Sequence, residues 1–232
     1  MKILARINWF FATIIIFSAL ALSILLHYIL PRPYPRKISS WIIRLATFFR
    51  VTIKGKEAKD AQMFLINHQS DLDIGVMETI TKKDLSWVAK KSLFHIPFFG
   101  LAMQLPEDIA VERESKTSLV KLLKSAKDRL AKNRVISMFP EGTRSRSQRM
   151  LPFKAGAKVI ADKYTLKVQP VVLIDTASCY NIKKFFYMPK NIKVIFLEPF
   201  IADKRDPDWL HNLRDTMQKV YDNELANTSS NR

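Results

Sequence analysis

The sequence predicts an α/β domain carrying an N-terminal, membrane-associated helical segment. Three observations lead there. An apolar run extends from Ile7 to Leu30. Beyond Lys54-Gly55-Lys56 short apolar runs alternate with helical segments, the pattern of an α/β fold. At 232 residues the chain has room for one domain with a sizeable core plus an appendage, and too little for two large domains.

The first element is the apolar run itself. Roughly 20 consecutive apolar residues are what a bilayer core demands. A cleaved signal peptide, with Lys2 and Arg6 as its basic start, is the rival reading. The run is longer than a usual signal core and ends in Pro31-Arg32-Pro33-Tyr34-Pro35 without a small-residue cleavage site, so it reads as a retained anchor. Next, Ile38 to Val51 sets Trp41, Ile42, Ile43, Leu45, Phe48 and Phe49 beside Arg44 and Arg50, the composition of an interfacial helix. Two apolar helices joined by a proline-rich turn can span the membrane or dip into one leaflet as a hairpin, and composition leaves both open. Arg32, Arg36, Lys37, Arg44 and Arg50 outnumber Lys2 and Arg6, which puts the C-terminal side in the cytoplasm. Residues 1–53 are therefore expected to form the anchor.

Within 54–225, the expected α/β domain, candidate strands are Met63 to Ile66, Ser86 to Ala89, Asp108 to Val111, Val135 to Phe139, Val168 to Ile174 and Lys193 to Leu197. The clearest helix is Ser115 to Ala131, with Leu119, Leu122, Leu123, Ala126 and Leu130 on one stripe and Lys116, Lys121, Lys124 and Lys127 on the other face. Trp209 to Leu225 reads as a closing helix and 226–232 as a disordered polar tail.

Charge narrows the partners. With 38 Lys and Arg against 21 Asp and Glu the chain carries +17, which implies an anionic partner. Nucleic acid and acidic lipid both fit that charge. The apolar run favours lipid, and there is no helix-turn-helix or aromatic RNA-binding signature, so nucleic acid is not expected. The one cysteine, Cys179, excludes an internal disulfide and points to a reducing compartment. Four histidines with no close pair give a metal site no support.

Two motifs carry the chemistry: Asn67-His68-Gln69-Ser70-Asp71-Leu72-Asp73 and Phe139-Pro140-Glu141-Gly142-Thr143-Arg144-Ser145. Histidine exchanges a proton near neutral pH, and a nearby carboxylate fixes its tautomer and stabilises the imidazolium. His68 follows the apolar strand Met63 to Ile66 and precedes a helical segment from Leu72, which places it in a strand-to-helix turn. Asp71 and Asp73 are both within reach. On a continuous helix His68 and Asp73 would face different ways, because each residue rotates by about 100°. A turn between them removes that objection. Ser70 is placed for a turn or cap hydrogen bond, and Asp71 for an alternative cap. Cys179 lacks a neighbouring base in sequence and is rejected as a nucleophile. In the second motif the Arg144 guanidinium can grip phosphate oxygens bidentately, and Gly142 lets the backbone approach closely. Arg146, Arg149 and Lys154 add charge that suits either the same anion or lipid headgroups.

Both motifs resemble the glycerolipid acyltransferases, above all the 1-acylglycerol-3-phosphate (lysophosphatidic acid) acyltransferases, whose His-x4-Asp hallmark falls on His68 and Asp73. The similarity continues through Lys90 to Gly100, Ile109 to Arg113, the Phe139 to Ser145 loop, Leu151 to Gly156 and Val168 to Val172. The resemblance implies a mixed sheet flanked by helices, with His68 deprotonating the sn-2 hydroxyl of the acceptor and Asp73 orienting it. It implies that Glu141, Gly142, Thr143, Arg144, Arg113 and Lys91 bind substrate, although Glu112 stands where family members often carry Asp. It also implies lysophosphatidic acid as acceptor, phosphatidic acid as product, and acyl-CoA or acyl carrier protein as donor substrate, with no cofactor. The bilayer would be a partner, at the inner membrane with the catalytic domain in the cytoplasm. Acylation of another lyso-lipid, or an inactive membrane-bound lipid-binding module, are the other readings. The Ile96-Pro97-Phe98-Phe99 segment fits a core element or an acyl-tunnel wall.

Overall fold

In the computed structural model the described residues are 2–112 and 116–230. Helices α1 (Lys2–Leu26) and α2 (Tyr34–Thr47) come first, then β1 (Arg50–Lys54), β2 (Met63–Ile66), α3 (Leu72–Ile80) and β3 (Leu85–Lys90). A 3-10 turn over Lys91–His95 leads to α4 (Leu101–Gln104), β4 (Ile109–Val111), α5 (Lys116–Ala131), β5 (Val135–Met138), α6 (Gly156–Tyr164) and β6 (Lys167–Ile174). The chain closes with α7 (Thr176–Cys179), β7 (Tyr180–Asn181), β8 (Phe186–Tyr187), β9 (Asn191–Phe196), β10 (Phe200–Ile201) and α8 (Trp209–Ser230).

One mixed sheet organises the domain, in the order β1-β9-β6-β2-β5-β3-β4, with β10 pairing on β6. The five strands from β6 to β4 run parallel. Strand β9 is antiparallel to β6 and parallel to β1. Parallel strands covered on both faces read as unbroken apolar runs, and Met63-Phe64-Leu65-Ile66 is one, buried at all four positions. Alternation divides it between two cores. Met63 and Leu65 join Leu122, Ile160, Leu213 and Met217 from α5, α6 and α8. Phe64 and Ile66 join Val76 and Met77 of α3, together with Trp87, Tyr180 and Tyr187.

All six expected strands exist, with ends shifted by one or two residues, as hydrogen bonding rather than apolarity sets a terminus. The short β7–β8 hairpin, β10, α4, α6 and α7 carry too little periodicity to have been foreseen. Arg50 to Lys54 pairs with Asn191 to Ile195, so the sheet begins four residues before the expected boundary at 54. Accordingly α2 lies four residues earlier than expected, ending at Phe48 in a left-handed conformation (φ 58°) and starting where Pro35 is tolerated in a first turn. Helix α8 continues to Ser230, so residues 226–230 prolong it and do not form the expected polar tail.

Helix α1 is long and apolar enough to cross a membrane, yet it lies along the domain. Its inward stripe is small, with Ala5, Ala12, Ala19 and Ser23 buried. Spacing near seven residues keeps these on one face, and their size lets the backbone approach closely. Thr13 Oγ1 meets the Tyr180 hydroxyl at 3.1 Å, and Trp9 packs edge-on to Phe185 at 4.7 Å. The outward face is large and bare: Phe10, Phe11, Ile14 and Phe17 are all exposed. On α2, Trp41, Ile42 and Leu45 are exposed likewise. Ile96, Phe98 and Phe99 on the loop leading into α4, and Leu101 at its start, are exposed too, so this segment is not core.

Buried charge fixes α2 to the domain. Arg36 lies 3.2 Å from Glu78 of α3 and 2.6 Å from Asp108 before β4. Lys37 donates to the Thr81 carbonyl at 2.6 Å. Burial pushes the Asp108 carboxyl up against the pull of Arg36, so the pair is held at a desolvation cost that the surrounding hydrogen bonds offset.

Candidate active site

In parallel α/β sheets ligands gather beyond the carboxyl ends of the strands, and there the His68 and Glu141 motifs of this chain converge. Along that edge come Asp175 after β6, His68 after β2, Phe139 and Glu141 after β5, Lys91 after β3 and Glu112 after β4.

The His68 turn is built by one carboxylate. Asp73, in the first turn of α3 and fully buried, uses Oδ2 to accept from His68 Nδ1 (2.7 Å), Gln69 N (2.7 Å) and Ser70 N (2.9 Å). One oxygen thus sets both the backbone path of the turn and the orientation of the ring. With Nδ1 turned to Asp73, no protein group among the described residues bonds Nε2, and the ring remains 15% exposed. Asp71, the other candidate partner of His68, ion-pairs with Arg144 instead. It sits at the N-cap of α3 without making a cap hydrogen bond. Ser70 Oγ accepts weakly from Leu72 N at 3.3 Å and donates to the Tyr180 carbonyl at 2.7 Å, a turn role.

The ring face is held separately. Phe139 stacks on the imidazole with centroids 3.8 Å apart and planes 10° off parallel. Trp87 stacks behind Phe139 at 5.1 Å, and its indole N–H donates to Glu78 at 2.9 Å. Neither aromatic was legible as a site residue, because the contact joins β2, β5 and β3 and leaves no spacing signal.

Glu141 is the surprise of the second motif. It is 1% exposed, and its two oxygens accept backbone N–H groups from His68 and Leu151, both at 2.7 Å. Burial raises its carboxyl above the ordinary range, against the pull of those N–H groups. The carboxylate therefore staples the His68 turn to the Leu151 loop, each oxygen accepting one backbone N–H. Gly142 adopts φ 70° and donates to the Phe139 carbonyl at 2.9 Å, a tight turn that glycine makes without strain. Thr143 is exposed at its tip, and Ser145 N returns to the His68 carbonyl at 2.8 Å, which locks the two motifs together.

Lys91 begins the 3-10 turn after β3 and pairs with Glu112 at 3.1 Å, both side chains about half exposed. Arg113 lies outside the described residues. The close of that block depends on Gly100, since a Cβ there would sit 2.2 Å from the Phe94 carbonyl oxygen. Cys179 is fully buried, and burial pushes its thiol up to about 11, the opposite of an activated nucleophile.

The arrangement sets a histidine on a buried carboxylate, with Nε2 bonded by no protein group among the described residues and the Arg144 guanidinium paired to Asp71 of the same turn. Comparison with known proteins gives the chain's relatives and its fold. The Acyltransferase family profile matches residues 49–174. A 1-acyl-sn-glycerol-3-phosphate acyltransferase of Helicobacter pylori (strain J99) is 41% identical over 162 residues, covering 69% of this chain and 68% of its own length. That of Escherichia coli K12 is 32% identical over 190 residues, covering 79% of this chain and 76% of itself. The crystal structure of the 1-acyl-sn-glycerophosphate acyltransferase of Thermotoga maritima superposes with a TM-score of 0.70 over 99% of this chain and 98% of that one, at 21% identity, which speaks to the fold. By sequence and by the profile it matches, the chain belongs to the acyltransferase family.

Proposed function

We propose that this protein transfers a fatty acyl group from an acyl thioester, acyl-CoA or acyl carrier protein, to the sn-2 hydroxyl of lysophosphatidic acid, giving phosphatidic acid. The observation that carries the reading is the His68 Nδ1 contact to buried Asp73 at 2.7 Å, which leaves Nε2 free to take a proton. His68 removes the hydroxyl proton as the oxygen attacks the thioester carbonyl. The new C–O bond forms, the C–S bond breaks, and the imidazolium returns the proton to the departing thiolate. Asp73 stabilises the imidazolium while it exists. Arg144 is the group best suited to the acceptor phosphate, since it is only partly exposed and stands one ion pair from the His68 turn.

The packing of α1 on α2, β8 and α4, with its large apolar side chains bare, supports a one-leaflet geometry. We infer that the bare faces of α1, α2 and the Ile96 to Leu101 segment enter one leaflet, with the charged domain at the cytoplasmic surface of the inner membrane. That position lets a single-chain lipid reach His68 without leaving the bilayer.

Purified protein in detergent, offered both donors against a panel of lyso-lipids with products read by mass spectrometry, tests this. Phosphatidic acid is the expected product, and His68→Ala should cost about 10² to 10⁴-fold in rate. Near-parental turnover of that variant, or a competent acyl adduct on Ser70 or Cys179, would defeat the direct-transfer mechanism.

A further inference from the structure

Beside the His68 turn lies a second concavity of about 350 Å³ that the reading above leaves unused. Gln69 and Tyr221 form its wall, Asp175 sits at its edge, and Arg146, Lys184 and Lys190 bring three cations to its lining. Lys190 Nζ donates to Ser178 Oγ at 3.1 Å. Arg146 and Lys184 meet no carboxylate among the described residues, so three positive groups face one acidic side chain. Volumes of this order suit part of a small ligand, and three cations in the lining suit an anionic part.

The pocket extends to the β6 side of the His68 turn, where Asp175, Ala177 and Ser178 follow β6, and Arg146 and Ser147 close it from the loop that carries Arg144. Adjacent side chains at the turn diverge accordingly. His68 lies flat on Phe139, while Gln69 Nε2 donates to the Tyr221 hydroxyl at 2.9 Å and to the Ser147 carbonyl at 2.7 Å. Gln69 is 4% exposed, and its Oε1 is buried with no protein partner among the described residues. A buried amide oxygen in that state calls for a donor.

The two substrates differ in where their phosphate sits. In the acceptor only two carbons and an oxygen separate the reacting hydroxyl oxygen from phosphorus, so that phosphate must stay close to the imidazole. In a thioester donor a long pantetheine arm with two amide N–H groups separates the reacting carbonyl from its phosphate. The geometry points to this pocket as the site of the donor's phosphopantetheine arm: its phosphate lies against Arg146, Lys184 and Lys190, and an arm amide N–H meets Gln69 Oε1. This assignment rests on the transferase reading for its biological meaning. Coenzyme A and acyl carrier protein share the phosphopantetheine group, so one pocket serves either donor.

Lys184→Ala and Lys190→Ala, singly and together, test it, with Lys183→Ala outside the lining as control. The double variant should raise the donor KM about 10-fold or more, since hydrogen bonds to charged groups are of that size, with kcat and acceptor KM within twofold of the parent. Gln69→Leu should raise the donor KM in the same sense. Direct binding of coenzyme A, pantetheine 4′-phosphate and glycerol 3-phosphate to the full chain in detergent supplies a readout independent of turnover. Weaker binding of the first two and unchanged binding of the third is the expected result for the double variant. A rise in acceptor KM with donor KM unchanged would reassign the pocket to the acceptor phosphate, and no change in either would show the cations to be solvated surface. If the parent transfers no acyl group, the transferase reading fails, while the binding series still decides the pocket.

Discussion

Phe139 lies flat against the His68 imidazole, ring centres 3.8 Å apart, so the ring is clamped by a face as well as by the Asp73 carboxylate at its edge. Behind Phe139 the clamp continues through Trp87 to Glu78, and Glu78 is the carboxylate that Arg36 of α2 neutralises. Helix α2 is thus linked to the His68 ring through Glu78 and two stacked aromatics, Trp87 and Phe139.

Trp87→Phe should weaken this clamp without opening a large cavity. It removes the indole N–H that satisfies Glu78, at a cost of about 1 to 3 kcal/mol for the stranded acceptor. Because the ring behind Phe139 shifts, kcat should fall several-fold with both KM values little changed. A change in acceptor KM alone would indicate a substrate contact and not a positioning role.

Asp73→Asn and Asp71→Asn separate the two candidate carboxylates. An amide at 73 loses the charge that receives three N–H donors, so turnover should drop about 10³-fold and the turn should loosen. An amide at 71 only releases Arg144, so kcat should stay within about tenfold while acceptor KM moves. Steady-state kinetics with both substrates varied gives the comparison. Equal losses would mean that Asp71 also serves His68.

Glu141→Gln should reduce kcat by about tenfold or more, because an amide NH2 replaces one of the two oxygens that receive backbone N–H groups. Its pH signature has a definite sign. Burial raises the Glu141 carboxyl in the folded protein, so the protonated form is favoured by folding, and stability associated with it is lost as pH rises through the raised pKa. The variant lacks that titration. Melting temperatures across pH 4 to 8 should therefore shift in favour of Glu141→Gln, relative to the parent, as pH rises.

Arg36→Ala should destabilise the domain by about 3 to 5 kcal/mol, since it leaves Glu78 and Asp108 buried without their cation. Trp87 depends on both carboxylates, through its indole N–H and its backbone N–H, so activity should decline before unfolding. Denaturation in detergent, followed by tryptophan fluorescence, reads the first effect. Near-parental stability of Arg36→Met would show that packing and not charge holds α2.

The α/β class, the central strands and the His68 turn were readable because they are local. Four buried apolar residues in Met63 to Ile66, followed by a short polar turn and the Leu72 helix, state their own structure, and the two motifs carry their chemistry in residue type. What the sequence by itself left open was every choice between equivalent groups. Asp71 and Asp73 are both near His68 in the chain, and only the three-donor turn around Asp73 separates them. Nothing in the Glu141 motif records that the backbone N–H groups of His68 and Leu151 bond its two oxygens. Helix α1 has the length and apolarity of a membrane span, yet its Ala5, Ala12 and Ala19 stripe is taken up by the domain. Each of these decisions depends on partners far away in the chain, and the physical reason is the same: a buried polar group or helix face is assigned by what desolvates it, which no local spacing records.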